Sequence, residues 1–156
     1  MIQRIQSVYM LLAVVLTVLC LCMQIGSYHA AGITVLQAYN LWCVDPVSGS
    51  HFFNTWPLFA VLVLTAAVGL CNIFLYRNRK LQARINLFNM FMILGWYVLY
   101  AVYSQTLGHA VHDIVSVKFH ASIAAAFPLL AVILYAMARR AILADEKLVR
   151  AADRIR

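Results

Sequence analysis

Four apolar runs dominate the chain: VYMLLAVVLTVLCLCMQIG (Val8–Gly26), WPLFAVLVLTAAVGLCNIFLY (Trp56–Tyr76), INLFNMFMILGWYVLYAVYSQ (Ile85–Gln105) and FHASIAAAFPLLAVILYAMA (Phe119–Ala138). Each is 19 to 21 residues long and none contains Asp, Glu, Lys or Arg. At about 1.5 Å per helical residue, such a run reaches about 30 Å, the thickness of a bilayer's hydrocarbon core. The whole chain is 65% hydrophobic and only 11% charged. A soluble fold of this size has too little interior to hide so much apolar surface, so bilayer is the solvent these runs require. The expected fold is an all-α membrane protein, a single four-transmembrane-helix bundle occupying residues 1–156.

The charges sort to one side. No Lys or Arg lies between Arg4 and Arg77. The connection after the second run carries Arg77, Arg79, Lys80 and Arg84; the connection after the third carries Lys118 alone. If both termini face the cytoplasm, eleven of the twelve basic residues lie inside. That bias sets orientation, giving the expectation of a bacterial cytoplasmic (inner) membrane protein, N-in and C-in. The first run is expected to stay on the protein as a span. It is longer than the apolar core of a signal peptide, and no small-x-small cleavage site follows cleanly in IGSYHAAG.

The 26–55 segment is too long to be a bare connector. GITVLQAYNLWCV is rich in β-branched and aromatic residues, DPVSGS reads as a turn, and HFF follows, so a small β-hairpin is expected there, with Trp42, Phe52, Phe53 and Trp56 at headgroup level. Pro57 fits the first turn of the second helix, after a cap at Thr55 or Asn54. Pro128 falls within the fourth run and predicts a kink near Ala124–Pro128. Packing in lipid relies on small residues and a few polar contacts. The candidates are Ala66, Ala67 and Gly69 in the second helix, Gly95 in the third, and Ala121, Ser122, Ala124, Ala125, Ala131 and Ala138 in the fourth. Trp96, Tyr100 and Tyr103 share a face of the third helix. Asn72, Asn86 and Asn89 sit at similar depth on two antiparallel helices and are expected to bond across, as helix glue.

The chain ends in RRAILADEKLVRAADRIR, which packs 9 of the 17 charged residues into residues 139–156. Ala141, Ala144, Leu148, Ala151 and Ile155 recur at intervals of three and four, a narrow stripe on a helix. Glu146 and Arg150 are four apart in the favourable order, and Arg150 and Asp153 are three apart. The fourth helix is therefore expected to continue into a charged cytoplasmic tail helix that leans on the basic loop, on the N-terminal MIQRIQ or on a partner.

MIQRIQSVYMLLA, YRNRKLQAR, AAFPLLA and RRAILADEKLVRAADRIR together resemble the bacterial integral membrane family catalogued as domain of unknown function 4293. The DEKLVR and DRIR segments of the tail are the most specific part, and the resemblance extends over the whole chain. It implies a four-span inner-membrane protein with no established activity, and it carries over no catalytic residue. It also implies that Asp145, Glu146, Lys147, Arg150 and Arg154 matter beyond topology.

Few residues point to chemistry. Cys20, Cys22, Cys43 and Cys71 fall three in spans and one in a loop, so no disulfide is expected. A quinone-linked thiol oxidoreductase would need paired outer cysteines; a proton-coupled exporter would need a carboxylate within a span; nucleotide binding would need a glycine-rich loop. Ser104 or Ser116 near His109 makes no nucleophile–base arrangement worth more than coincidence. GHAVHDIVSVKFH places His109, His112 and Asp113 close together, and such a set could ligate a metal or, through its imidazoles, haem. A third firm ligand is lacking, and interfacial polar residues are the preferred account, with no cofactor expected. Two functions are thus expected. The favoured one is a non-enzymatic membrane protein whose basic loop and tail (Arg77, Arg79, Lys80, Arg84, Arg139, Arg140, Asp145, Glu146, Lys147, Arg150, Arg154) engage anionic lipid headgroups or a protein partner. The alternative is a small metal- or haem-linked redox protein using the outer histidines. The basic residues flank apolar runs rather than forming a face on a soluble fold, so nucleic acid is not an expected partner.

Overall fold

A computed structural model describes the backbone of residues 2–30, 32–52, 55–75, 78–112 and 117–153, and the side chains within these ranges except those of 2–4, 52, 108–112 and 150–153. Four helices carry the chain: α1 (Ile2–Cys22), α2 (Trp56–Phe74), α3 (Arg79–His112) and α4 (Phe127–Asp153). All four are long and apolar enough to cross a membrane. Helix α1 packs on α4 and α2, and α3 packs on α2 and α4.

The distribution of side chains on α1 shows what kind of solvent the fold expects. Gln6, Met10, Ala13, Val14, Thr17 and Cys20 are buried at helical spacing, whereas Val8, Leu11, Leu12, Val15, Val18 and Leu19 are 42% to 50% exposed. The exposed face is as apolar as the buried one. Water would not tolerate that arrangement; lipid does.

At one end of the helices lies a five-stranded antiparallel sheet in the order β4-β3-β2-β1-β5. Its strands are β1 (Gly26–Ala30), β2 (Ile33–Ala38), β3 (Cys43–Val44), β4 (His51–Phe52) and β5 (Lys118–Ala121). The expected hairpin exists in part, because Cys43 pairs with Phe52 and Val44 with His51 across the DPVSGS turn. There the Asp45 carboxylate accepts from the Val47 N–H at 2.9 Å and the Ser48 hydroxyl at 2.7 Å, and Gly49 takes a φ of 65° that favours glycine. The sheet is larger than expected because β1 pairs on both sides, with β2 and with β5 from the distant second connection, Gly26 facing Ala121.

That pairing corrects the fourth span. Residues 119–121 are strand, Ile123–Ala126 form a 3₁₀ turn, and α4 begins only at Phe127. Pro128 therefore stands in the first turn of a helix and produces no mid-helix kink, since the N–H it lacks has no partner to lose there. The other boundaries move as well. Helix α1 starts six residues earlier than the apolar run and ends at Cys22, leaving Gly26 to β1; α3 outruns its apolar stretch at both ends. Tyr76, Phe53 and Asn54 lie outside the described residues. Gly95 does not serve close packing, because a Cβ there would meet nothing within 4 Å. Ala67 and Ala121 are likewise exposed, whereas Ala66, Ala124, Ala125, Ala131 and Ala138 are buried as expected.

The sheet is locked to the helices by polar side chains that reach main-chain carbonyls. Buried Asn40 donates to the Cys20 carbonyl at 2.7 Å and accepts from the Trp96 indole at 3.1 Å. The Tyr100 hydroxyl donates to the Ile25 carbonyl (2.9 Å), Tyr28 to that of Ser104 (3.0 Å) and Tyr97 to that of Ala125 (2.7 Å). Trp96 stacks on Tyr100 with ring centroids 5.2 Å apart. Beneath lies an apolar core of Ile25, Tyr28, Leu36, Cys43, Leu58, Leu62 and Trp96.

Candidate functional site

The opposite end of the helices gathers the start of α1, the short turn between α2 and α3, and the continuation of α4. Leu75 and Asn78 stand at the two ends of that connection. The Asn78 N–H donates to the Leu75 carbonyl and the Gln82 N–H to that of Asn78. So tight a connection sets α2 and α3 antiparallel and brings Asn72 level with Gln82 and Asn86. The Asn72 amide nitrogen donates to Asn86 Oδ1 at 2.7 Å and to the Gln82 carbonyl at 3.3 Å, while Gln82 Nε2 returns a bond to the Asn72 carbonyl at 3.2 Å. Met10 lays its sulfur against both amides, at 3.6 and 3.8 Å. The expected asparagine pairing is thus present for Asn72 and Asn86. Asn89 instead stands beside Tyr135 over Gly69, where a Cβ would collide with the Tyr135 hydroxyl and come within 2.8 Å of Val14. Asn72, Asn86 and Asn89 are all fully buried, and Gln6 nearly so. Yet Gln6 Nε2, Asn72 Oδ1 and Asn86 Nδ2 have no hydrogen-bond partner among the described residues.

Below this amide layer come the charges. The tail does continue the fourth helix, as far as Asp153, and it leans on the start of α3. Arg79 pairs with Asp145 at 2.5 Å and Lys80 with Glu146 at 3.9 Å. The first pair is half-enclosed, with side chains 27% and 15% exposed; Lys80 is 67% exposed. The face that docks is not the expected stripe. Ala131, Tyr135, Ala138 and Ile142 are fully buried, while Ala144 is exposed and Leu148 is 61% exposed. The docking face is that of the span itself, prolonged at helical period, and the Ala144–Leu148 stripe is turned outward.

Of the other charged residues singled out in the sequence, Arg84, Arg140 and Lys147 are exposed and Arg139 is half-buried. Arg77, Arg154 and the side chain of Arg150 lie outside the described residues. Between α3 and α4 opens a cleft of about 250 Å³, lined by Lys80, Arg84 and Leu87 on one side and Arg139, Leu143 and Glu146 on the other. Arg139 Nε is buried and has no hydrogen-bond partner among the described residues. Among those residues no ion pair reaches Arg84 or Arg139.

The histidine candidates fare differently. His109 and His112 belong to the last turn of α3, but their side chains, and Asp113 altogether, lie outside the described residues. Among the described residues no group of three or more His, Cys, Asp or Glu side chains could hold a metal ion. Sequence spacing could not show the encounter of His29 with His120, whose rings meet edge-on at 5.1 Å across β1 and β5. His29 is already engaged on both nitrogens, by Ser27 at 2.9 Å and Thr34 at 3.3 Å. All four cysteines are free. Burial pushes the Cys43 thiol up to about 11, against a smaller opposing contribution from Thr55. At the turn, the Ser48 hydroxyl and then the Val47 N–H hold the Asp45 carboxyl below its ordinary value.

A family model described as domain of unknown function (DUF4293) matches residues 2–155. A comparison with curated proteins returns no match.

Proposed function

The chain belongs to the family described as domain of unknown function (DUF4293), and from that premise we propose that it is a non-enzymatic protein of the bacterial cytoplasmic membrane. In this reading the four helices form a bundle with both termini in the cytoplasm, the sheet caps the outer face, and the charged end engages anionic lipid headgroups. The positive-inside bias of eleven basic residues against one supports the orientation. One observation carries the functional part. The pairs Arg79–Asp145 and Lys80–Glu146 hold α4 against α3 beyond the apolar zone, and they occupy the two described carboxylates of the tail. Arg84, Arg139, Arg140 and Lys147 then remain on the same end, a net positive surface at headgroup depth.

The test has two arms. Single cysteines at Ser48 and Lys147 are probed with a membrane-impermeant thiol reagent in intact cells, in a background with the exposed Cys22 and Cys71 replaced. Labelling of Ser48→Cys alone is the expected result; labelling of Lys147→Cys overturns the orientation. Lipid retained around the protein in polymer-excised membrane discs is then compared with bulk membrane lipid. Enrichment in anionic lipid is expected, and a shell of bulk composition overturns the lipid reading.

A protein partner is a second reading, favoured by the exposure of Leu148 (61%) and Val149 (46%) on the tail beyond the ion pairs. Two apolar side chains one helical turn past the last clasp make a short helix-in-groove anchor. Leu148→Glu is expected to abolish any such association while leaving lipid retention unchanged.

A further inference from the structure

We propose that the cleft between α3 and α4 is a discrete binding site for the phosphomonoester headgroup of a single lipid. The proposal rests on the membrane reading above and goes further, replacing a diffuse charged surface with named groups. Three cations line the cleft, Lys80 and Arg84 from α3 and Arg139 from α4, against one carboxylate, Glu146. Glu146 is turned toward Lys80 at 3.9 Å, which leaves the two guanidinium groups as the main recognition elements. The lining therefore carries a net charge of about two, the charge that a phosphomonoester approaches near neutral pH.

The half-buried Arg139 guanidinium gives the cleft its specificity. The Arg139 side chain is half-buried at the lining and no ion pair among the described residues reaches it, so a phosphate oxygen between the helices would supply its guanidinium with an acceptor. Planar guanidinium groups also suit phosphate better than ammonium groups do, because they offer paired N–H donors. The walls suit the rest of a lipid. Ala83, Leu87 and Leu143 are the apolar lining. From Arg84 an exposed stripe continues toward the membrane centre through Phe88 (50% exposed) and Phe91 (63%), at helical spacing. A headgroup seated at Arg84 and Arg139 would lay an acyl chain along that stripe. Basic pockets between transmembrane helices on the cytoplasmic side are where anionic headgroups are held.

The experiment is native mass spectrometry of the detergent-purified full chain, titrated with phosphatidic acid, phosphatidylcholine or inorganic phosphate. The expected result is one phosphatidic acid retained per chain well above phosphatidylcholine, with inorganic phosphate competing only at far higher concentration. Removing both guanidinium groups (Arg84→Gln with Arg139→Gln) should weaken retention about tenfold or more, the loss expected for charge-assisted hydrogen bonds. Lys118→Gln, an exposed cation in the sheet at the other end of the molecule, should change it less than about twofold. Arg84→Gln alone, at an exposed position that folding does not depend on, should give an intermediate loss and guards against a misfolded double variant. Equal losses for Lys118→Gln and Arg84→Gln would overturn the cleft while leaving the general lipid reading intact. No preference for phosphatidic acid over phosphatidylcholine would overturn both. Competition by inorganic phosphate as strong as by the lipid would replace the lipid with a soluble phosphate.

Discussion

The two ends of this molecule use polar side chains in opposite ways. At the sheet end, Asn40, Trp96, Tyr28, Tyr97 and Tyr100 each make a short bond to a partner distant in sequence, and four of these bonds end on main-chain carbonyls. At the charged end, Gln6 Nε2, Asn72 Oδ1 and Asn86 Nδ2 are buried without a hydrogen-bond partner among the described residues. Satisfied buried polar groups specify and rigidify a structure, whereas unsatisfied ones carry a cost that has to be recovered in some other way. The sheet end therefore reads as architecture. The charged end keeps spare hydrogen-bonding capacity, and function is better sought there.

The sharpest challenge to that contrast substitutes one amide at each end. Asn40→Leu strands the Trp96 N–H and the Cys20 carbonyl together, and should cost about 2–5 kcal/mol, the cost of leaving two buried groups without partners. Asn89→Leu gives up a single contact with the Tyr135 hydroxyl and puts an apolar group of similar size in its place, so it should fall within about 1 kcal/mol of wild type. Unfolding in mixed micelles measures both. Equal destabilisation would erase the distinction between the ends.

Next in size comes the packing that the amide layer surrounds. Gly69→Ala drives a methyl group into the Tyr135 hydroxyl and Val14, between three helices that cannot all retreat, and should cost about 1–3 kcal/mol. Gly95→Ala, which meets nothing, should be neutral or slightly favourable because alanine is the better helix former. The pair separates the glycine that permits close approach from the one that is merely exposed.

Much of this was legible in the chain and some was not, for physical reasons. The four spans and the helical tail follow from run length and periodicity, and the Asn72–Asn86 bond follows from the short turn that sets two helices antiparallel. The sheet was only half visible, because β5 pairs with β1 across more than ninety residues, and apolar residues at 119–121 look the same to hydropathy whether they enter a helix or a strand. Pro128 was misplaced for the same reason: its role depends on where the helix begins. The tail stripe Ala144–Leu148 was misread because an alanine-rich tail offers two apolar faces. The continuing core face of Tyr135, Ala138 and Ile142 wins, since it extends packing already made within the span. The cationic cleft had no local signal at all, as Arg84 and Arg139 meet only in space.

A smaller effect separates the ends by pH. Cys43 is 1% exposed under the sheet and its thiol is pushed from an ordinary 9.0 up to about 11. Its folded-state value lies above its unfolded one, so the contribution of the neutral thiol to stability is complete below about pH 9 and is lost as pH rises toward 11. Wild type should lose stability across that window more steeply than Cys43→Ala. Folded protein should leave Cys43 unalkylated at pH 8, while the exposed Cys22 and Cys71 react in detergent. Ready alkylation of Cys43 would show that the sheet end opens easily and is not the rigid partner in the comparison.

The smallest effect concerns the clasp between α3 and the tail, and it decides whether the charged end is held firmly or lightly. Double-mutant cycles on Arg79/Asp145 and Lys80/Glu146 isolate each pair from its surroundings. The first pair is half-enclosed at 2.5 Å and should couple by about 1 kcal/mol; the second is longer, and Lys80 is well solvated, so its coupling should be about 0.5 kcal/mol or less. Both should shrink as salt rises from 50 mM to 500 mM, whereas the cost of Asn40→Leu should not, because no charge is involved in it. A clasp this weak is comparable to the energy that one lipid phosphate could contribute at the neighbouring cleft, so ligand binding there could bias the position of the tail. A coupling of several kcal/mol would make the tail a fixed part of the architecture, and the two ends would then differ in chemistry but not in mobility.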